Sequence, residues 1–161
     1  MAKKIQKTNA VRLLEQKKIP FSLKEYTVDE AHLDGVTAAQ EIGEAVEKVF
    51  KTLVAITGKN QLYVFVIPVA CELDLKAAAK FVGEKKIDML HVKDLLPTTG
   101  YIRGGCSPIG MKKQFPTVID DTAQQQDELF ISAGKRGMQI LIAPQHLAHI
   151  TNATFGSITC D

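Results

Sequence analysis

Apolar residues at Ala10, Leu13 and Leu14 recur at helical spacing behind Thr8 and Asn9, either of which can cap a helix. Lys17 and Lys18 suit the C-terminal end of that helix, and Pro20 closes it. The period then changes. Residues 21–28 alternate loosely, which predicts a strand with Tyr26 near its end, and residues 29–35 form a polar connection. Thr37-Ala38-Ala39-Gln40 matches a capping box, so a second short helix is expected to begin at Thr37 and run through Ile42 and Val46. Residues 49–56 are apolar on both alternating faces, the pattern of a central strand covered on both sides, and Lys51 breaks that pattern. After a turn at 58–61 the chain returns as a second apolar strand over 62–69, giving a hairpin.

Asp74 caps a helix over residues 75–82 that Gly83 stops. A short strand near 87–90 and a helical turn over 92–96 lead through Pro97 into residues 100–110, where four glycines share eleven positions. No helix or strand tolerates that density of glycine, so the stretch is a loop. Residues 116–120, 128–133 and 138–143 read as three more strands, the last two joined by 134–137, and Pro144 opens a final helix over 145–150. Hairpins and helices interleave irregularly, without the regular βα alternation of a doubly wound fold. The expectation is a mixed α/β fold, one domain over residues 1–161, with a curved, barrel-like mixed sheet flanked by helices.

Composition narrows the classes. With 45% hydrophobic and 24% charged residues the chain is neither disordered nor fibrous. A net charge of +2 excludes the global field of a general nucleic-acid binder, so any basic surface is local. Adjacent basic pairs recur at Lys3-Lys4, Lys17-Lys18, Lys85-Lys86, Lys112-Lys113 and Lys135-Arg136, and the last two flank glycines in a way that can place them on one rim. Three widely spaced cysteines, Cys71, Cys106 and Cys160, fit neither a disulfide framework nor a zinc site, which points to a reducing cytoplasm. The basic N-terminus has no apolar segment behind it, and the longest apolar run, 62–71, contains Pro68 and falls short of the ~20 residues of a spanning helix. A soluble protein without a membrane partner is expected.

Lys51 is the sharpest anomaly, because a lysine within a two-sided apolar strand is expensive unless its ammonium meets an anion. Either it reaches an edge or a buried carboxylate such as Asp120 or Asp121, or it waits for a ligand phosphate or carboxylate. A charged lysine is a poor base, which favours binding over proton abstraction. The loop at 100–110 is either a connector or a concavity of backbone amides able to hold an anion or oxyanion. Cys106, between Gly105 and Ser107, invites a nucleophile reading but needs a base, and His32, His91, His146 and His149 stand at no informative spacing. Ser107 is followed by Pro108 and is no nucleophile elbow. His146 and His149 share a helix face without an evident third metal ligand, so no metal or cofactor is expected. Tyr26 and Tyr101 can line a pocket.

Four blocks, residues 50–54, 100–110, 132–137 and 142–145, together resemble the bacterial YbaK/EbsC family in order and spacing, over nearly the whole chain. Members of that family are free-standing relatives of the editing domain inserted in bacterial prolyl-tRNA synthetases. The resemblance implies hydrolysis of the ester joining a wrongly attached amino acid, chiefly cysteine, to tRNA(Pro), with prolyl-tRNA synthetase as a partner in a transient ternary complex. It implies that Lys51 meets the phosphate or ribose of the terminal adenosine. It also implies that the G-x-x-x-P loop, Gly104 to Pro108, holds the ester carbonyl on backbone amides and shapes the amino-acid pocket. Tyr26 falls at a pocket tyrosine, and Tyr101, Lys135, Arg136 and His146 join the substrate-binding set. The family position of Cys106 is not restricted to cysteine, and relatives can carry an acidic residue where this chain has His146. Family proposals have the substrate's thiol attack its own carbonyl, which makes a protein base unnecessary. Two other readings stay open: a deacylase for Ala-tRNA(Pro) or another small amino acid, and a non-catalytic module that binds tRNA or the synthetase.

Overall fold

The computed structural model describes residues 7–28 and 35–160. Lys3-Lys4, His32 and the polar connection over 29–34 lie outside the described residues. Helix α1 (Asn9–Gln16) opens at Thr8, whose Oγ1 accepts from the Val11 amide at 3.2 Å and donates to the Ala133 carbonyl, tying the helix cap to a distant turn. Strand β1 (Ser22–Glu25) follows, then α2 (Gly35–Ile42). That helix begins two residues before Thr37 and stops at Ile42, because Gly43 takes φ +73° and breaks the helical path. Val46 therefore belongs to a separate 3-10 turn, Val46–Lys48, and not to the helix.

Strands β2 (Phe50–Ile56) and β3 (Leu62–Pro68) form the expected hairpin, paired from Phe50 with Pro68 to Ile56 with Leu62. β3 is buried on both faces: Phe65 and Ile67 pack under the next helix, while Val64 and Val66 face other clusters. Each such side chain contributes about 1.5–3 kcal/mol by leaving water. β4 (Glu72–Leu73) leads to α3 (Leu75–Val82), capped by Asp74 on the Ala77 amide at 3.1 Å and ended by Gly83 at φ +80°. β5 (Asp88–Met89) precedes α4 (Val92–Thr99), which continues through Pro97 instead of ending before it. Pro97 has no amide to donate, and the helical hydrogen bond this removes lies on an exposed face, where a missing partner costs little.

Residues 100–116 form a long loop before β6 (Thr117–Asp120); a 3-10 turn, Asp121–Gln125, leads to β7 (Leu129–Ser132) and β8 (Met138–Ile142). α5 (Pro144–Thr151), β9 (Thr154–Gly156) and β10 (Thr159–Cys160) complete the chain. The five-stranded sheet runs β5-β2-β3-β6-β9, with β3–β6 and β6–β9 parallel and the rest antiparallel; β1-β8-β7 is antiparallel, and β10 pairs with β4. An isolated parallel bridge from Val49 to Phe130 joins the start of β2 to β7, so the two larger sheets curve into one another without closing a barrel. The mixed α/β architecture is thus as expected. Helix α1 packs on β7 and β8, α3 on β2 and β3, and α2 on the junction of the sheets.

Candidate functional site

β2 sits deep in the sheet at one end only. It meets β5 at Ala55 and Ile56, and beyond the Val49–Phe130 bridge to β7 the outer edge of residues 50–53 is paired with no strand among the described residues. Lys51 is therefore near the open start of the strand, half-buried, and not in the middle of a doubly covered one. It makes no ion pair among the described residues. The carboxylate of Asp120 is engaged elsewhere: it accepts from the amide and hydroxyl of Thr122, from the Ile158 amide at 3.2 Å and from the Thr159 hydroxyl.

Along that open edge lies a cavity of about 370 Å³. Its wall brings together Tyr26, Lys51, Gly104 and Cys106 from the expected set, and adds Thr52, Arg103, Ser132 and Gln139 among its polar residues. Apolar side chains, Leu53 and Val54 of β2 with Leu90, Val92 and Leu95 around α4, supply much of the rest.

The loop wall is held from behind. The Gly105 amide donates to the Ile102 carbonyl at 2.9 Å, so this amide is not free for a ligand. The amides of Gly104 and Cys106, on residues that line the cavity, have no acceptor within the protein among the described residues. Gly105 backs directly on the chain at 135–136: a Cβ there would stand 3.0 Å from backbone atoms of both Lys135 and Arg136. Arg136 Nε donates to the Arg103 carbonyl at 2.9 Å, clamping the loop from the β7–β8 turn. The hydroxyl of Ser107, which is fully buried, accepts from the Ile109 amide at 3.3 Å. Pro108 is buried beside it. Tyr101 is buried as well, and its hydroxyl donates to the Ile109 carbonyl at 2.7 Å. Ser107, Pro108, Tyr101, Lys135 and Arg136 thus support the loop without lining the cavity, and His146 lies exposed on α5 away from it.

Cys106 is 8% exposed, and burial pushes its thiol up to about 12, against a hydrogen bond with Thr99 that pulls it the other way. At neutral pH the sulfur is therefore protonated, which is the wrong state for a nucleophile. Tyr101 is likewise raised to about 12, first by burial and then by the neighbouring Cys106. Of the added residues, Gln139 carried a readable signal: it is a polar side chain between Met138 and Ile140 in an apolar strand, the same anomaly as Lys51.

A family model, the aminoacyl-tRNA editing domain, matches residues 31–150, and the chain belongs to that family. It is 53% identical over 161 residues to EbsC of Enterococcus faecalis, described as a candidate Cys-tRNA(Pro)/Cys-tRNA(Cys) deacylase, covering 99% of this chain and 98% of that protein. The fold is shared with a crystal structure described as a candidate trans-editing enzyme for prolyl-tRNA synthetase, at a TM-score of 0.83 and 22% identity over 95% of this chain and 96% of that one. It is shared also with the hypothetical protein APE2540, at a TM-score of 0.86 and 18% identity over 95% and 100% of the two chains. No helix among the described residues is long and apolar enough to cross a membrane.

Proposed function

We propose that the protein hydrolyses the aminoacyl ester of mischarged Cys-tRNA(Pro). The observation that carries this reading is the cavity lined by Lys51, Gly104 and Cys106, whose ammonium and backbone amides have no partner among the described residues, in a chain of the editing-domain family. The 53% identity to EbsC supports cysteine as the amino acid. In this reading the Lys51 ammonium meets the phosphate or ribose of the terminal adenosine, as a point charge that needs no fixed geometry. The Gly104 and Cys106 amides receive the ester carbonyl and stabilise the charge that develops on its oxygen; one such donor is typically worth ~100-fold or more in rate.

The nucleophile comes from the substrate. Its thiol sulfur bonds to its own carbonyl carbon, the bond from that carbon to the ribose oxygen breaks, and the thiol proton ends on the departing ribose oxygen. Water then opens the thiolactone to free cysteine. Intramolecular attack of this kind gains its rate from proximity, which fits a site whose own Cys106 is protonated. Proline has no thiol and survives. The chemistry reads the ester and not the anticodon, so Cys-tRNA(Cys), also in the name of the EbsC relative, is a substrate of the same cavity. A transient complex with prolyl-tRNA synthetase would supply the choice of tRNA, and the chain's small net charge makes for weak binding to tRNA alone.

Ester loss from radiolabelled tRNA(Pro) charged with cysteine, alanine or proline tests the proposal. Fast catalytic release of cysteine with proline retained is the expected result. Release of alanine with none of cysteine rejects the substrate, and stoichiometric binding without turnover rejects the enzyme.

A further inference from the structure

Three large apolar side chains face water where the cavity opens: Met89 is 40% exposed, Val92 61% and Leu96 51%. Single apolar residues are ordinary on a surface, and these are set apart by where they stand. Met89 and Val92 line the cavity while facing solvent, so they mark its mouth, together with the exposed Arg103. Leu96 lies one helical turn beyond Val92 on the same face of α4, about 6 Å further along the axis. The apolar lining of the cavity thus runs out through its mouth and along the helix.

A cation closes the far end of this strip. The Lys112 amide donates to the Thr99 carbonyl at 3.0 Å, and its side chain covers Gly100, where a Cβ would meet Lys112 Cγ at 3.3 Å. Its Nζ donates to the carbonyl of Pro97, the residue after Leu96, at 3.4 Å. Lys112 is therefore held at the C-terminal end of α4, and neither it nor Arg103 makes an ion pair among the described residues. No carboxylate lines the cavity among those residues. Asp94 lies two positions from both Val92 and Leu96, which turns it to the opposite side of the helix, and Asp88 alternates with Met89 on β5 and faces the other way. Apolar surface flanked by unpaired cations fits single-stranded nucleic acid, whose base faces rest on the one while its phosphates meet the other. An apolar protein helix would use the strip alone and leave Arg103 and Lys112 without a counterpart. A strand held in the cavity by its 3′ end leaves through this mouth, so its next nucleotides pass over α4.

We infer that Val92, Leu96 and Lys112 form a platform outside the cavity for the unpaired nucleotides that precede the terminal adenosine. The inference rests on the deacylase reading and is separable from it. The probes are Cys-tRNA(Pro) and 3′-O-cysteinyl-adenosine, which fills the cavity and carries no upstream nucleotide. Leu96→Ser, at a half-exposed position outside the cavity, slows release from Cys-tRNA(Pro) about fivefold or more in kcat/KM, the lower end of what one stacked base is worth. The same variant leaves release from cysteinyl-adenosine within about twofold, because that probe never reaches the platform. Lys112→Gln lowers the slope of log kcat/KM against log salt on Cys-tRNA(Pro) by about 0.7, the share of one phosphate in a single strand. An abasic nucleotide placed just before the terminal adenosine slows the wild type and adds nothing further in Leu96→Ser. Equal slowing of both probes by Leu96→Ser, or slowing of neither, overturns the inference while leaving the deacylase reading intact. So does full additivity of the abasic and Leu96→Ser losses, or a loss seen only when prolyl-tRNA synthetase is added, which would make the strip a protein interface. Release from neither probe by the wild type refutes the deacylase reading and the platform with it.

Discussion

Lys51→Met separates binding from folding at the cavity. Methionine keeps most of the apolar stem of lysine and removes the ammonium. In the free protein that ammonium is half-buried and has no anion beside it among the described residues, so its removal strands no partner. The melting temperature is expected to hold or rise slightly. In the complex the ammonium faces a phosphate or ribose oxygen. A hydrogen bond to a charged group is worth about 1.5–3 kcal/mol, or roughly 10- to 150-fold in an equilibrium or rate. The Coulomb ceiling at ~4 Å and an effective dielectric of ~20 is about 4 kcal/mol, and an open cavity lies below it. Single-turnover release of cysteine from Cys-tRNA(Pro), with enzyme varied and tRNA limiting, reads the loss directly in kcat/KM. A fall of at least about tenfold at constant melting temperature is the expected outcome. A change within threefold would refute the assignment of Lys51 to substrate, and a loss of activity that tracks a loss of stability would make the lysine a structural residue.

Further expectations concern the loop wall. Gly105→Ala drives a methyl to 3.0 Å from the backbone of Lys135 and Arg136, which neither can yield without moving the turn; a loss of about 1–3 kcal/mol follows, with slower ester release, measured by urea midpoint and turnover. Cys106→Ala costs far less turnover than Lys51→Met, and near neutral pH iodoacetamide labels Cys106 after the less buried Cys71, read by peptide mass spectrometry. The reverse order in either measurement makes the cysteine the reacting group. Above pH 9 the same thiol destabilises the fold: the unfolded chain loses the proton near 9.0 while the folded one holds it to about 12, so the contribution is full below pH 9 and fades toward pH 12. Tyr101, raised from 10.0 to about 12, acts in the same direction. Stability of Cys106→Ala therefore falls less steeply between pH 9 and 11 than that of the wild type, and parallel curves contradict the burial.

Local chemistry made much of this fold readable. Thr8, Asp74 and Gly83 mark helix ends with side chains or conformations that act within a few residues, and the β2–β3 hairpin follows from two apolar runs and a turn. The second helix was misplaced because a capping-box pattern at Thr37 competes with Gly43, whose left-handed φ sets the true end. β4, β9 and β10 are two or three residues long, too short to show a period, and β9 owes its place to parallel pairing with β6 far back in the chain. At the site, Lys51 stood out because a cation in an apolar strand demands a reason. Gln139 makes the same demand more quietly, as an uncharged side chain in a strand paired on both sides. The neighbourhood of the two depends on the Val49–Phe130 bridge, a contact between distant strands that no local pattern encodes.

The central claim is that the cavity supplies binding and an oxyanion site while the substrate supplies the nucleophile. Replacing the cysteinyl group of Cys-tRNA(Pro) by 2-aminobutyryl keeps the amine and the side-chain shape and removes only the thiol. Comparison of single-turnover release from the two esters is predicted to show cysteine leaving at least ~100-fold faster, the advantage of an intramolecular attack lost with the sulfur. Equal release from both would contradict the account and put the nucleophile, or an activated water, in the protein.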